Sequence, residues 1–156
     1  DVAQAVTDRS GITGEKMELD GYSPLEGASI SVYNHQNKNF LCTMVALNKA
    51  VDPKIGHEVA MQIAAMAPIA VDEKDVPADV LEKEKEIAAE KARQEGKPEN
   101  MIEKIALGRL NKFYKEVCLL KQDYIQDATK TIADYLKSFD KDLTIVGFRR
   151  FTLRAE

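Results

Sequence analysis

Apolar residues change their spacing several times along this chain, and each change predicts an element. Asp1 to Arg9 reads as the end of a helix begun upstream, with Ser10, Gly11, Thr13 and Gly14 as the turn that follows it. From Lys16 the period shortens to two. Met17 and Leu19 alternate with Glu18 and Asp20, and Ile30 and Val32 alternate with Ser29 and Ser31, which predicts two half-buried strands. Phe40 to Leu47 is more continuously apolar, and the polar run Asn34 to Asn39 before it predicts a β-hairpin with an exposed loop longer than two residues.

Helical spacing takes over at Asp52 and Pro53. An aspartate there can accept the unpaired N–H groups of a first turn, and a proline wastes no donor in that position. Ile55, Val59, Ile63 and Met66 follow on one face, and Pro68 ends the run, so this is a packed core helix. Beyond it, Asp72 to Glu95 holds fourteen charged residues, and its apolar residues thin to a stripe of Val80, Leu81, Ile87 and Ala88 repeating at seven. Glu82/Lys85 and Glu90/Arg93 sit three apart on its wet face. Gln94 to Pro98 stops this helix and starts another, with glycine suited to the exit of one and proline to the entry of the next. The second carries Ile102, Ala106, Leu110, Phe113 and Val117 on one face. Two helices joined by so few residues lie antiparallel with their stripes facing.

After Asp127 the residues Ile132, Tyr135, Leu136 and Phe139 return to helical spacing, and Leu143 to Leu153 reads as a strand containing Gly147. Strands therefore flank the helical pair. The simplest architecture is α+β: a small antiparallel β-sheet packed with helices, built from residues 1–71 and 118–156, with residues 72–117 inserted as a projecting antiparallel helical hairpin.

Composition places that hairpin in context. The 156 residues are 44% hydrophobic and 31% charged, and the charged excess over the roughly 25% usual for globular chains resides in the hairpin. The formal net charge of −4 gives no field that favours phosphate backbones or anionic lipid, so direct nucleic-acid or membrane binding is not expected. Cys42 and Cys118 have neither CxxC nor Cys/His spacing, which fits a reducing cytoplasm and argues against a zinc site or a disulfide framework. No run of 18 apolar residues and no leader pattern is present, and the start at Asp1 without a methionine reads as a fragment or processed product.

The search for chemistry yields little. No GxSxG, HExxH, GxxxxGK[ST] or GxGxxG motif occurs, and the carboxylates cluster on the solvated hairpin, so no enzymatic activity and no cofactor is expected. His57, in the first turn of the core helix, reads as an ordinary, partly exposed histidine. His35 sits at a hairpin tip, where a rigid scaffold positions a loop that is free to touch a partner, but on the residues alone an ordinary exposed loop histidine is the favoured reading. Gly147 with Arg149 and Arg150 fits a bulge that re-aims side chains or a partner contact, the bulge being the favoured reading, and Cys118 reads as a small buried apolar group.

Longer stretches carry a resemblance. Val76 to Leu120 (VPADVLEKEKEIAAEKARQEGKPENMIEKIALGRLNKFYKEVCLL) closely resembles the coiled-coil insertion of elongation factor Ts and its return into the core. VAMQIAAMAP, from Val59 to Pro68, is similar to that family's helix before the insertion. KTIADYL and VGFRRFTL are similar to its closing helix and strand. The resemblance implies a factor that promotes GDP/GTP exchange on the GTPase elongation factor Tu during translation, with a homodimer through the helical hairpin as a further expectation. The stretch VYNHQ aligns His35 with a family histidine at the GTPase interface, and so implies that His35, with Tyr33, Asn34 and Gln36, binds the partner. The family's N-terminal ubiquitin-associated-like domain and its TDFVAKN-type motif are not found here, and Thr7-Asp8-Arg9 lacks the aromatic wedge of that motif. Docking without the wedge is therefore expected. The competing expectation is a structural coiled-coil adaptor or chaperone-like module.

Overall fold

A computed structural model describes residues 1–153. The first helix, α1 (Val2–Thr13), is capped by Asp1, whose carboxylate accepts the Gln4 N–H at 2.8 Å, and it closes at Gly14 with φ 72°. The expected turn at Ser10 to Thr13 is thus the last turn of this helix; Gly11 is carried through it, and only Gly14 adopts the left-handed backbone that favours glycine. No residue of α1 is buried.

The strand expected at Met17 to Asp20 is absent, because alternation makes a strand only where a neighbour pairs with it, and here the Met17 N–H donates to the Ser10 hydroxyl instead. Pairing begins with β1 (Ser29–Asn34), antiparallel to β2 (Leu41–Leu47) with Val32 opposite Met44. In β1 the alternation is real but the buried face is the opposite of the expected one. Ile30 and Val32 point outward, while Ser31 faces α2 (Pro53–Met66). The cause is a close approach: a Cβ on Gly56 of α2 would fall 2.8 Å from Ser31 Cβ, so two small residues let the helix lie against the strand.

The Asp52–Pro53 start of α2 appears as expected, with the carboxylate accepting the Lys54 N–H at 2.9 Å. Ile55, Val59 and Ile63 are buried in the core, and Met66, at the helix end, is exposed.

The hairpin is α3 (Ala78–Gln94) and α4 (Glu99–Val117). Its turn is a Schellman motif: Gly96, at φ 72°, donates its N–H to Arg93 O, and Lys97 donates to Ala92 O. The seam differs from the predicted one in α3. Ala88 and Ala92 are buried there, whereas Ile87 lies off the seam and is half exposed. In α4, Ile102, Ala106 and Leu110 face the seam as expected. At the root the outgoing and returning chains are stitched side by side by Ile69 N–H to Val117 O and Leu119 N–H to Ala70 O, both 2.9 Å, over a small cluster of Ala70, Val76 and Cys118.

Past the hairpin, β3 (Asp123–Tyr124) and β4 (Asp127–Thr131) form a two-stranded sheet that the apolar pattern did not indicate, since its residues are mostly polar. Accordingly α5 (Ile132–Lys137) begins later than Asp127, capped reciprocally by Thr131 and Asp134, and Phe139 lies beyond its end, edge-on to Tyr135. β5 (Ile145–Thr152) completes the three-stranded antiparallel sheet in the order β1-β2-β5, with a register shift where Ala46 and Leu47 face Gly147 and Ile145. That bulge is the structural role expected of Gly147. Val45 and Leu47 of β2, Val59 and Ile63 of α2, Leu119, and Ile132 and Leu136 of α5 form one core, each contributing roughly 1.5–3 kcal/mol through burial of its apolar area.

Candidate functional site

β1 delivers the chain to one end of the sheet, where residues 34–40 turn back into β2. Tyr33 is its last inward-facing residue, opposite Thr43. The Tyr33 ring packs edge-on with His57, near the start of α2, with centroids 5.6 Å apart, and its hydroxyl lies 2.9 Å from Nδ1 of His35. His35 itself is exposed and opens a tight reverse turn closed by the Lys38 N–H to His35 O bond at 3.2 Å.

Asn34 closes the loop from inside. Its Oδ1 accepts the Asn39 N–H at 3.0 Å, and its Nδ2 donates to Asn39 Oδ1. The backbone is left-handed at Gln36 (φ 54°), Asn37 (φ 53°) and Asn39 (φ 59°). Asparagine visits that region readily, whereas Gln36 is held there at a cost of roughly 1–2 kcal/mol by the closed loop around it. The four residues expected from the sequence therefore divide. His35 and Gln36 are exposed at the tip, and Tyr33 and Asn34 fix its shape.

His57 joins this group, although its sequence position suggested nothing. The signal that could have found it is the Ser31–Gly56 contact: Gly56 precedes His57, and Ser31 shares a face with Tyr33, so the small pair brings the two rings together. Arg149 and Arg150 point to scaffold contacts: Arg149 Nε donates to the Ser23 hydroxyl, and Arg150 Nη2 to Ala64 O at 3.4 Å.

Beside the loop, the β1 edge of the sheet's outer face is apolar. Ile30 and Val32 lie there next to Met44, with Arg149 and Phe151 beyond it on β5, and Val32 keeps 61% of its surface exposed. An exposed apolar patch next to a shaped loop is characteristic of an interaction surface. A second concave surface lies between α3 and α4, a groove of about 670 Å³ whose lining includes Glu86, Glu90, Arg93, Glu103 and Leu107.

Titratable groups with displaced pKa values belong to the scaffold. Burial, reinforced by Asp72, pushes the Cys118 thiol up to about 11. Lys121 is raised by its hydrogen bond to Glu73, and the Tyr124 phenol is raised by burial and by Tyr135 and Glu58 beside it. Among the described residues no three His, Cys, Asp or Glu side chains are grouped to hold a metal ion, and no helix is long and apolar enough to cross a membrane. What the arrangement offers chemically is recognition: a stiff loop with one imidazole at its tip, an apolar sheet edge at Ile30 and Val32, and a charged groove.

Comparison with known proteins agrees with the resemblance. The family model described as "Elongation factor TS" matches residues 1–155. The elongation factor Ts of Bacteroides fragilis is 46% identical over 211 aligned positions, covering 99% of this chain and 64% of that protein. Its counterpart in Porphyromonas gingivalis is 47% identical over 155 positions, covering 99% of this chain and 56% of that protein. That of Phocaeicola vulgatus is 44% identical with 99% of this chain covered. The chain thus spans about three fifths of the length of these curated relatives.

Proposed function

The chain belongs to the elongation factor Ts family, and on that footing we propose that it is the partner-holding part of a translation elongation factor. It docks on the GTPase elongation factor Tu in the cytoplasm and supports GDP/GTP exchange through binding surface alone, without enzymatic chemistry or a cofactor. The physical mechanism is linkage. A protein that binds the nucleotide-free GTPase more tightly than the GDP-bound form weakens GDP binding by the same factor. The sheet with its His35 loop supplies one contact, and the hairpin of residues 72–117 supplies a second, with the GTPase or with another copy of the chain.

The observation that carries this reading is the construction of the loop. His35 is exposed, yet the Tyr33 hydroxyl, the Asn34 side chain and three left-handed backbone positions hold the loop in one shape. A preshaped loop loses less entropy on docking than a mobile one. His35→Ala is expected to weaken binding to elongation factor Tu roughly tenfold, within the range of a moderate interface residue, with an unchanged unfolding midpoint. Equilibrium titration with fluorescently labelled GTPase checks this, and unaltered affinity rejects the loop as a contact. Stopped-flow release of fluorescent GDP tests the wider reading. Neither binding nor acceleration by this chain or its full-length parent would leave the hairpin as the module of a structural adaptor.

A further inference from the structure

Tyr33 and His35 were expected to act alike, as partner contacts, but their geometry separates their roles. We propose that Tyr33 is a positioning residue: its hydroxyl donates to Nδ1 of His35 and thereby fixes the ring as the Nε2–H tautomer, so that His35 offers a hydrogen-bond donor to an acceptor on the partner, a carbonyl or carboxylate oxygen. The inference rests on the reading of the loop as a docking surface and adds to it the chemistry of the group that is met.

Three observations carry it. First, the Oη–Nδ1 separation is 2.9 Å, a full hydrogen bond, between side chains only two residues apart. A phenol is a better donor than a neutral imidazole N–H, and an imidazole nitrogen is a better acceptor than a phenol oxygen, so the proton of this bond belongs to the tyrosine. The hydrogen bond made at one ring nitrogen sets the state of the other, which leaves Nε2 protonated. Second, the phenol is itself held. Tyr33 is half-buried at the end of β1, and its ring rests on His57 in an edge-on contact at 5.6 Å, so α2 fixes the direction from which the hydroxyl reaches His35. Third, the imidazole is exposed, and its ring is tilted 59° to the tyrosine rather than stacked on it, which leaves Nε2 accessible. Rings and backbone together present one donor in one direction.

The tautomer is read directly by nitrogen-15 spectroscopy of the histidine side chains in the intact chain at pH 8, where a neutral imidazole carries one proton. The expected spectrum for His35 shows an unprotonated Nδ1 and a protonated Nε2, and a protonated Nδ1 overturns the proposal without any variant. Tyr33→Phe removes the hydroxyl and keeps the ring contact with His57. It is expected to return His35 to a mixture of tautomers and to weaken binding to elongation factor Tu roughly three- to tenfold, as the loss of one net hydrogen bond implies. His35→Gln, whose amide nitrogen can take the place of Nε2–H, is expected to retain more affinity than His35→Asn, whose amide reaches only as far as Nδ1. Equal affinities of those two variants, or an unchanged tautomer in Tyr33→Phe, defeat the inference. Should His35→Ala bind as well as the parent chain, the docking surface itself is rejected, which is a separate outcome from a wrong tautomer.

Discussion

At the scale of single residues, the contact between α2 and β1 depends on an atom that is missing. Gly56 has no Cβ, and Ser31 opposite it is small, so helix and strand approach closely enough to bring His57 onto Tyr33. Gly56→Ala is expected to destabilise the chain by about 1–3 kcal/mol through overpacking, despite the better helix propensity of alanine. Adding Ser31→Gly is expected to recover part of that loss, and a double-mutant cycle in urea denaturation measures the coupling. This pair also explains why Ile30 and Val32 misled. A period of two is legible in β1, but which of its two faces is buried depends on the small residue that a distant helix requires.

At the scale of elements, the helical hairpin is a narrow seam closed by a glycine. Ala88, Ala92 and Ala106 are buried along it, so the two helices pack on small side chains, and Ile87 is left to solvent. The heptad spacing of Val80, Leu81, Ile87 and Ala88 located the stripe; the buried side of α3 is the alanine side because α4 brings Ile102 and Leu110 to fill the space. Gly96 lies at φ 72° with nothing within 4 Å of where a Cβ would be, so Gly96→Ala carries backbone strain and no clash. A cost of about 1 kcal/mol is expected, read as a lower unfolding midpoint. A neutral result would show that the turn has another low-energy conformation available.

At the scale of the whole molecule, a buried amide network joins the core helix to the chain returning from the hairpin. Gln62, fully buried in α2, donates to Asp123 O at 3.0 Å and accepts the Ile125 N–H at 2.9 Å. It also donates to Gln122 Oε1 at 3.3 Å, and Gln122 donates to Glu116 O near the end of α4 at 2.8 Å. Gln62→Leu leaves the Ile125 N–H and the Asp123 carbonyl without their partner, and is expected to cost about 2–4 kcal/mol. Amide exchange at Ile125 is the local readout, and protection equal to the parent's would refute the network's role.

Acid sensitivity also belongs to this scale. Asp140 is held below its ordinary 3.8 by the Lys49 ammonium, Asp127 by the Thr129 hydroxyl and N–H, and Asp134 by the Thr131 N–H and hydroxyl. Carboxyls with lowered folded-state values contribute stability above the unfolded value that is lost as they protonate. Stability is therefore expected to fall as pH drops through about 4 and below, and a urea midpoint that rises as the pH is lowered there would contradict it. Lys49→Met, which removes the cation beside Asp140, is expected to flatten part of the decline.

Several features are settled among contiguous residues and are legible in the chain alone. These features are the Asp52–Pro53 helix start, the glycine that closes the hairpin turn, the facing stripe of α4, the α+β order of elements, and the motifs that carry the family resemblance. Capping, turn geometry and periodicity act within a few residues, so they are written locally. The buried face of β1, the unpaired state of Met17 to Asp20, the polar β3–β4 pair, and the group in which Tyr33 stands between His35 and His57 emerge only once the chain is folded. Each of these depends on which segment the folded chain lays against another, and a strand's alternation or a lone histidine has no meaning for packing until that partner is in place.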